Sequence, residues 1–297
     1  MRIGVDLGGT KTEAIALGED GEELIRRRVP TRRETYEDVV DTVAELVVSI
    51  EHELGADATV GAGTPGAISP ASGFIKNANL TVLNGHPLDR DLSTALGREV
   101  RIANDADCLA LSEATDGAGA GHRTVFAVIL GTGTGGGVTV DRSIVTGPNA
   151  IGGEWGHNPL PWPTADELIG PDCYCGQRGC IEKYLSGPGM AADHERITSV
   201  RMSPPQIVAA ARDGEPGAEA TLERYSDRLA RGLASIINIL DPHVVVLAGG
   251  LSKIPELYEE VPARWGKYVF SDQVDTPLVS AAHGDSSGVR GAAWLWE

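Results

Sequence analysis

The sequence is short of cysteine, of aromatic residues and of long apolar segments. Its 297 residues include only 4 cysteines, and aromatic residues make up 5% of the chain. No apolar run approaches the roughly 20 residues that a membrane-spanning helix needs, which argues against a membrane partner. The N-terminal stretch "MRIGVDLGGT" lacks a long apolar core with a cleavage site, so no secretory signal is predicted. The expectation is a cytoplasmic protein.

Positive charge is also scarce. The chain has 42 acidic residues against 25 basic ones and a formal net charge of −17, and only 5 of the basic residues are lysine. Nucleic-acid binding normally needs a basic surface that displaces counterions, so no nucleic-acid partner is expected. An acidic, lysine-poor surface suits a salt-rich cytoplasm, where ions screen self-repulsion, although a GC-rich genome would equally favour arginine. Activity that falls steadily as KCl is added would rule out the halophilic origin.

Short apolar runs alternate with turns in the first part of the chain. The segments "RIGVDLG", "EAIALG" and "EELIRRRVP" are typical of strands, and apolar residues then recur at helical spacing from 39 to 54. Thr35 with Asp38 predicts a capped helix start, and Gly55 predicts its end. The stretch "VRIANDADCLALSEATDG" predicts a strand that leads into a helix.

A second unit is predicted to open near residue 116. The junction "DGAGAGH" is followed by "TVFAVILGTGTGGGVTV", which repeats the opening pattern of strand, glycine turn and strand. Residues 204–240 are mostly helical in pattern, and "HVVVLAGG" is typical of a buried strand. Strands that alternate with helices indicate an α/β fold, and the repeated opening suggests two related halves.

Three glycine-rich turns follow apolar strands. They are "DLGGTKT" at 6–12, "GTGTGGG" at 131–137 and "AGGLS" at 248–252, here called the first, second and third glycine turns. Glycine lets backbone N–H groups approach an anion closely, and the carboxylate of Asp6 could hold Mg²⁺ through water. The first turn lacks the G-x-x-x-x-G-K-[ST] spacing of a Walker loop, and no strand–G-x-G-x-x-G–helix unit, the dinucleotide-binding fingerprint, is predicted. Any one of them alone could be an ordinary hairpin, but the set of three favours phosphate binding.

Three of the four cysteines lie in "DCYCGQRGCIE", at positions 173, 175 and 180. Structural disulfides are rare in the cytosol, and a C-x-C pair is awkwardly close for bridging. Clustered thiolates suit zinc, which takes four ligands in a structural site, so a fourth ligand is needed. A redox role is the alternative, although a C-x-x-C pair is absent. Cys108 lies in a predicted helix and is expected to be an inert buried thiol.

Together, "DLGGTK", "GTGTGGG", "GGEWGHNPL" and "CYCGQRGCIE" resemble the ROK family of sugar kinases over residues 2 to the end. The segments "KNANLTVLNG", "GEWGHNPLPW" and "HGDSSGVRGAAWLW" most resemble its bacterial manno(fructo)kinase branch. The resemblance implies a two-lobed α/β fold of the actin/hexokinase/Hsp70 (ribonuclease H-like) type with a structural zinc loop. The expected domains are residues 1–116 with 287–297, and residues 117–286.

The resemblance also implies roles for individual residues. Asp105 is the expected catalytic base, although "ND" at 104 and 105 could equally cap the following helix. His157 is the implied fourth zinc ligand beside Cys173, Cys175 and Cys180. The implied sugar contacts are Gly66, Asn79, Asn104, Asp105, Glu154, His157 and Glu182. The implied ATP contacts are Asp6, Gly8, Gly9, Thr10, Lys11, Thr132, Gly133, Thr134, Gly135, Gly249 and Gly250.

The function that the resemblance implies is transfer of phosphate from ATP, with Mg²⁺, to a hexose. Its manno(fructo)kinase branch favours fructose and its C6 hydroxyl; glucose and N-acetylhexosamines are alternative acceptors within the family. A sugar-responsive transcriptional regulator is the alternative of another class. It is disfavoured because the chain starts at the first predicted strand and is acidic. A homodimer is possible.

Overall fold

The computed structural model describes residues 1–296, apart from the side chain of Asp285. The chain forms two compact units: residues 1–123 with 137–153 and 285–297, and residues 124–136 with 154–284. The predicted domain boundaries, 1–116 with 287–297 and 117–286, differ from this division chiefly at 137–153 and stay a prediction; residue 297 lies outside the described part.

The first unit contains a five-stranded sheet covered by helices. In the order β3-β2-β1-β4-β7, the two pairs on the β3 side are antiparallel and the two on the β7 side are parallel. The short strands β5 and β6, of two residues each, pair as an antiparallel hairpin that is separate from this sheet. The strands are β1 (Arg2–Leu7), β2 (Lys11–Leu17), β3 (Glu23–Pro30), β4 (Thr59–Thr64), β5 (Ala67–Ile68), β6 (Ile75–Lys76) and β7 (Val100–Asn104). The helices before residue 116 are α1 (Tyr36–Leu54), α2 (Leu88–Leu96) and α3 (Asp105–Thr115).

The α1 helix begins and ends where the sequence predicts. Thr35 is its N-cap, and Thr35 and Asp38 form a reciprocal capping box that satisfies two backbone donors. Gly55 ends the helix in the left-handed conformation, with φ 63°. The apolar side of α1 packs into a buried core with Ile3, Val5 and the other apolar residues of the sheet.

The second five-stranded sheet repeats this topology. Its order β10-β9-β8-β11-β12 matches that of the first sheet, which confirms the predicted repeat of the opening pattern. Its strands are β8 (Thr124–Leu130), β9 (Thr134–Val140), β10 (Ser143–Ile144), β11 (Val244–Ala248) and β12 (Leu278–Ser280). The remaining helices are α4 (Glu182–Leu185), α5 (Gly187–Thr198), α6 (Pro204–Arg212), α7 (Pro216–Leu240), α8 (Leu257–Trp265) and α9 (Ser287–Ala293). Among the described residues, no helix is both long and apolar enough to cross a membrane.

The α9 helix packs on the first sheet at backbone distance. A Cβ at Gly4 or Gly61 would overlap the carbonyl oxygens of Val289 and Ala292. A Cβ at Gly291, on α9 itself, would overlap the carbonyl oxygen of Cys108 on α3. Glycine is therefore required on both sides of this contact, which holds the strands whose ends carry Asp6 and Asp105.

Replacing Gly61 by alanine should destabilise the protein by about 3 kcal/mol or more, because α9 and the sheet would have to separate. Gly266→Ala is the matched control, since Gly266 has right-handed helical angles and nothing within 4 Å of its Cβ position. Chemical denaturation of both variants measures the effect. Equal stability of the two variants would show that the close contact is not needed.

Candidate active site

The first glycine turn joins β1 to β2 and is held from outside by side chains. The Gly8 N–H donates to the Lys11 carbonyl at 3.1 Å, which closes the hairpin. The Thr31 hydroxyl donates to the Gly8 carbonyl at 2.8 Å, and the Arg33 guanidinium donates to the Gly9 carbonyl at 3.0 Å. Thr10 and Lys11 are exposed. The turn therefore has a fixed backbone with accessible side chains, and the sequence reasoning missed the two residues that brace it.

Asp6 is the last residue but one of β1 and lies next to this turn. Burial, reinforced by Glu13, raises the pKa of its carboxyl to about 6, and Lys11 and Arg28 only partly offset this. A poorly solvated carboxylate beside a glycine turn is a group that a divalent cation could bind, because the cation would stabilise its ionised form.

Asn104 and Asp105 lie where β7 passes into α3. Asn104 is the N-cap residue, and its Oδ1 accepts from the Ala106 N–H at 2.9 Å, while Oδ1 of Asp105 accepts from the same N–H at 2.7 Å. Both residues thus serve as helix caps, the alternative that the sequence left open. Capping does not exclude a second role: the Asn104 Nδ2 also donates to the Gly66 carbonyl at 3.2 Å.

Gly66 has φ 88° and faces the backbone of the loop that carries Asn79. A Cβ there would lie 2.5 Å from the Lys76 carbonyl oxygen and 2.8 Å from the Ala78 nitrogen. Asn79 itself is exposed. The structure therefore brings four predicted contacts, Gly66, Asn79, Asn104 and Asp105, onto neighbouring backbone segments of the first unit.

The second glycine turn connects β8 to β9, and its backbone is tied to Glu182. The Thr134 N–H donates to Glu182 Oε2 at 3.1 Å, and a Cβ at Gly133 would lie 2.7 Å from that oxygen. Thr132 is exposed at the tip. The Thr134 hydroxyl is buried and has no hydrogen-bond partner among the described residues, so it is a donor that a phosphate oxygen could satisfy.

The turn that carries Glu154 and His157 packs against the start of β9. Trp155 is buried, its indole N–H donates to the Gly135 carbonyl at 3.0 Å, and its ring meets Phe126 edge to face. A Cβ at Gly156 would overlap the Thr134 carbonyl oxygen. Glu154 and His157 are thereby positioned beside the second glycine turn.

The third glycine turn follows β11. Gly249 has φ 85°, and a Cβ there would lie 2.6 Å from the carbonyl oxygen of Leu130, at the end of β8. Gly250 is exposed and has nothing within 4 Å of its Cβ position. This leaves an open surface at the end of β8 and β11, two strands that are parallel neighbours.

The three clustered cysteines and His157 converge. Their ligand atoms all lie within 4.8 Å of one another, with 3.6 Å between the sulfurs of Cys175 and Cys180 and 3.6 Å between Cys173 Sγ and His157 Nδ1. Tetrahedral zinc, with Zn–S near 2.3 Å and Zn–N near 2.0 Å, holds its ligand atoms about 3.5–3.8 Å apart. The cluster is therefore consistent with a structural zinc site. Cys108 lies apart from it, fully buried on α3.

Tyr174, which the sequence reasoning passed over, contacts the other side of the His157 ring. The Tyr174 hydroxyl lies 3.0 Å from His157 Nε2, and Nδ1 of the same ring faces Cys173 Sγ. The imidazole therefore contacts the cysteine cluster through one nitrogen and the phenol through the other. The rest of the Tyr174 side chain is largely exposed. The phenol thus belongs to the group of side chains around His157.

A buried ion network, also missed, holds the segment that leads into the cysteine loop. Glu167 accepts from Arg228 at 2.7 Å and from Arg231 at 2.9 Å, and Arg231 also donates to the Trp162 carbonyl at 2.8 Å. Burial alone would raise the pKa of Glu167, but the hydrogen bonds from Arg231, the Thr164 N–H and Arg228 outweigh it and lower the pKa to about 2. The network remains ionised across the physiological range.

Two five-stranded sheets of corresponding strand order, with glycine turns at the ends of their strands, are typical of the actin/hexokinase-like fold class. The sequence matches the ROK family over residues 2–297. The chain therefore belongs to the ROK family, as its motifs predicted.

Individual relatives support this assignment over nearly the whole length. The chain is 41% identical over 300 residues to the N-acetyl-D-glucosamine kinase of Yersinia pseudotuberculosis serotype O:1b (strain IP 31758), covering 99% of this chain and 98% of the relative. A ROK hexokinase from Thermus thermophilus matches with a TM-score of 0.87 and 32% identity, over 98% of this chain and 96% of that one. A ROK glucokinase from Streptomyces griseus, solved with glucose and AMPPNP, matches with a TM-score of 0.78 and 28% identity, over 99% and 98% of the two chains.

Proposed function

We propose that this protein is an ATP-dependent hexose kinase that phosphorylates the C6 hydroxyl of its sugar. The observation that carries the proposal is the group at the junction of β7 and α3, where Asp105 and Asn104 sit beside Gly66 in a chain of the ROK family. The relatives named as N-acetyl-D-glucosamine kinase, hexokinase and glucokinase support the same reaction class.

In the proposed mechanism, Asp105 takes the proton of the attacking hydroxyl as it approaches the γ-phosphate. Asn104, Asn79, the Gly66 carbonyl, Glu154, His157 and Glu182 orient the sugar by hydrogen bonds. The backbone N–H groups and hydroxyls of the first and second glycine turns bind the phosphates, and the third turn leaves room for the nucleotide. Mg²⁺, held through water by Asp6, would supply positive charge that offsets the charge on the phosphates.

The acceptor that we propose first is N-acetyl-D-glucosamine. The curated relative from Yersinia pseudotuberculosis carries that name at 41% identity over 99% of this chain. Fructose, which the resemblance of "KNANLTVLNG" to the manno(fructo)kinase branch predicts, is the second candidate and stays a prediction. With either sugar, Asp105 would accept the proton of the hydroxyl that attacks the γ-phosphate of ATP.

Release of ADP with ATP and N-acetyl-D-glucosamine, fructose, glucose or mannose separates these candidates. We expect kcat/KM to be highest for N-acetyl-D-glucosamine, because an extra acetamido group recognised by polar contacts can discriminate strongly. A larger kcat/KM for fructose would support the manno(fructo)kinase interpretation. Absence of turnover with all four sugars would contradict the kinase proposal itself.

Asp105→Asn should reduce kcat about 100-fold or more, because the amide cannot accept the hydroxyl proton. Sugar binding measured by calorimetry should change little, since the amide oxygen can still accept the Ala106 N–H. Asp241→Asn, at an exposed helix end with φ 47°, is the control and should retain full activity. A kcat for Asp105→Asn within a few-fold of the unmodified enzyme would remove Asp105 from the role of base.

We propose further that Cys173, Cys175, Cys180 and His157 hold one structural zinc ion, which does no chemistry itself. Protein purified without added metal should contain about one zinc per chain, and Cys173→Ser should lose most of it. Cys108→Ala should retain the zinc, because Cys108 lies on α3, outside the cluster. A folded, active protein free of zinc would contradict the assignment.

A cytoplasmic location and a homodimer are proposals that rest on the sequence alone. Cell fractionation tests the first and sedimentation analysis tests the second.

A further inference from the structure

The loop that carries Asn79 follows β6 in the first unit and leads into a short 3-10 helix, Thr81–Leu83. Asn79 is exposed, whereas Ala78 just before it is buried. Asn77 has φ 59°, a left-handed conformation that asparagine tolerates better than most residues. The direction of the Asn79 side chain therefore depends on how the backbone of Ala78 is held.

Asn84 holds that backbone on both of its polar groups. The Ala78 N–H donates to Asn84 Oδ1 at 2.9 Å, and Asn84 Nδ2 donates to the Ala78 carbonyl at 3.0 Å. A buried backbone group that loses its partner carries a large desolvation penalty. One side-chain amide thus supplies both hydrogen bonds to the residue that precedes Asn79.

The Ala78 backbone also contacts the proposed sugar-binding residues. A Cβ at Gly66 would lie 2.8 Å from the Ala78 nitrogen and 2.9 Å from its Cα, so the two backbones are in close contact. The Gly66 carbonyl in turn accepts from Asn104 Nδ2 at 3.2 Å. The Ala78 backbone therefore contacts both Asn84 and Gly66, so a displacement of Ala78 would disturb the Gly66–Asn104 pair as well as Asn79.

Asn84 is itself fixed by its surroundings. Its N–H donates to the Thr81 carbonyl at 3.1 Å, and its neighbour Gly85 donates to the Ile75 carbonyl at 2.9 Å. The Ile75 N–H donates to the His86 carbonyl at 2.9 Å, and the His86 ring stacks on Tyr36 with 4.0 Å between centroids. The amide of Asn84 is thus presented from a braced turn.

We propose that Asn84 is a positioning residue for the hexose acceptor. Its amide fixes Ala78 and so sets the direction in which Asn79 and the Gly66 backbone are presented to the sugar. This inference rests on the proposed hexose kinase function and assigns no contact between Asn84 and the sugar.

The two hydrogen bonds to Ala78 require a side-chain amide at position 84, because one group must accept and the other must donate. Aspartate keeps an acceptor for the Ala78 N–H but places carboxylate oxygen against the Ala78 carbonyl, where like charges repel. Alanine removes both hydrogen bonds. Because Asn84 acts on the acceptor side alone, its loss should affect hexose binding and leave ATP binding unchanged.

The chain offers a matched control in Asn238. Its Nδ2 donates to the Tyr268 carbonyl at 2.9 Å, and its Oδ1 accepts from the Phe270 N–H at 2.8 Å. One side-chain amide thus again donates to and accepts from the backbone of a loop, here in the second unit. None of the proposed contacts lies in that loop. Asn238→Ala therefore removes the same two kinds of hydrogen bond without touching the proposed site.

Steady-state kinetics of Asn84→Ala, Asn84→Asp and Asn238→Ala test the inference. We expect the KM for the preferred hexose to rise about tenfold in Asn84→Ala, which loses two hydrogen bonds of ordinary strength. The rise should be at least as large in Asn84→Asp, which keeps one of them but adds repulsion at the Ala78 carbonyl. The KM for ATP should be unchanged and kcat should stay within about threefold, since a positioning effect on binding falls mainly on KM. Asn238→Ala should leave all three constants as they are.

Two results would overturn the inference: a hexose KM in Asn84→Ala equal to that in Asn238→Ala, or a parallel loss in both substrates that reports general destabilisation. If Asn84→Ala does not fold, the hexose KM of Asn84→Asp and the hydrogen exchange of the Ala78 N–H test the positioning role of Asn84 instead. The Ala78 N–H should exchange more slowly when hexose is bound to the unmodified enzyme, and unchanged exchange would contradict the role. A wild-type enzyme that phosphorylates no hexose would instead overturn the proposed function.

Discussion

The convergence of three cysteine sulfurs on His157 is the constraint on which the arrangement of Glu154, Glu182 and the second glycine turn depends. These residues come from two segments, and their ligand atoms lie within 4.8 Å of one another. The first segment carries Glu154 and the buried Trp155, whose indole binds the Gly135 carbonyl. The second leads directly into Glu182, which accepts from the Thr134 N–H. A metal ion that joins the two segments would therefore fix Glu154 and Glu182, the proposed sugar contacts, together with the second glycine turn.

The first unit reaches comparable precision without a metal, through backbone contacts. Gly4, Gly61 and Gly291 let α9 approach β1, β4 and α3 to backbone distance, which fixes the strand that carries Asp6 and the helix that begins at Asp105. Gly66 and the amide of Asn84 then both contact the Ala78 backbone. A loop without regular secondary structure becomes rigid when every buried backbone N–H and carbonyl group has a hydrogen-bond partner. In both units, the groups that would touch substrate are few, and the groups that hold them are many.

Short-range signals predicted much of this arrangement. The Thr35 and Asp38 capping box, the Gly55 end, the three glycine turns and the cysteine spacing are local features, so the sequence shows them directly. The repeated strand order was visible as a repeated motif. The partners that brace the site were not predictable, because they pair across long separations: Thr31 with Gly8, Glu167 with Arg231, and Tyr174 with His157. Asn84 lies only six residues from Ala78, yet its spacing resembles that of an ordinary turn. The acceptor was the least predictable feature, since polar contacts to one sugar or another use the same residue types.

The most direct test of this account is calorimetric titration of the preferred hexose and of an ATP analogue, before and after zinc is removed with a chelator. We expect zinc removal to weaken hexose binding at least tenfold, because Glu154, His157 and Glu182, the proposed sugar contacts, would lose their common anchor. Nucleotide binding should weaken less, because the proposed phosphate contacts in the first glycine turn and Asp6 lie outside the cluster. Equal hexose affinity with and without zinc would contradict this account, and so would loss of nucleotide binding ahead of hexose binding.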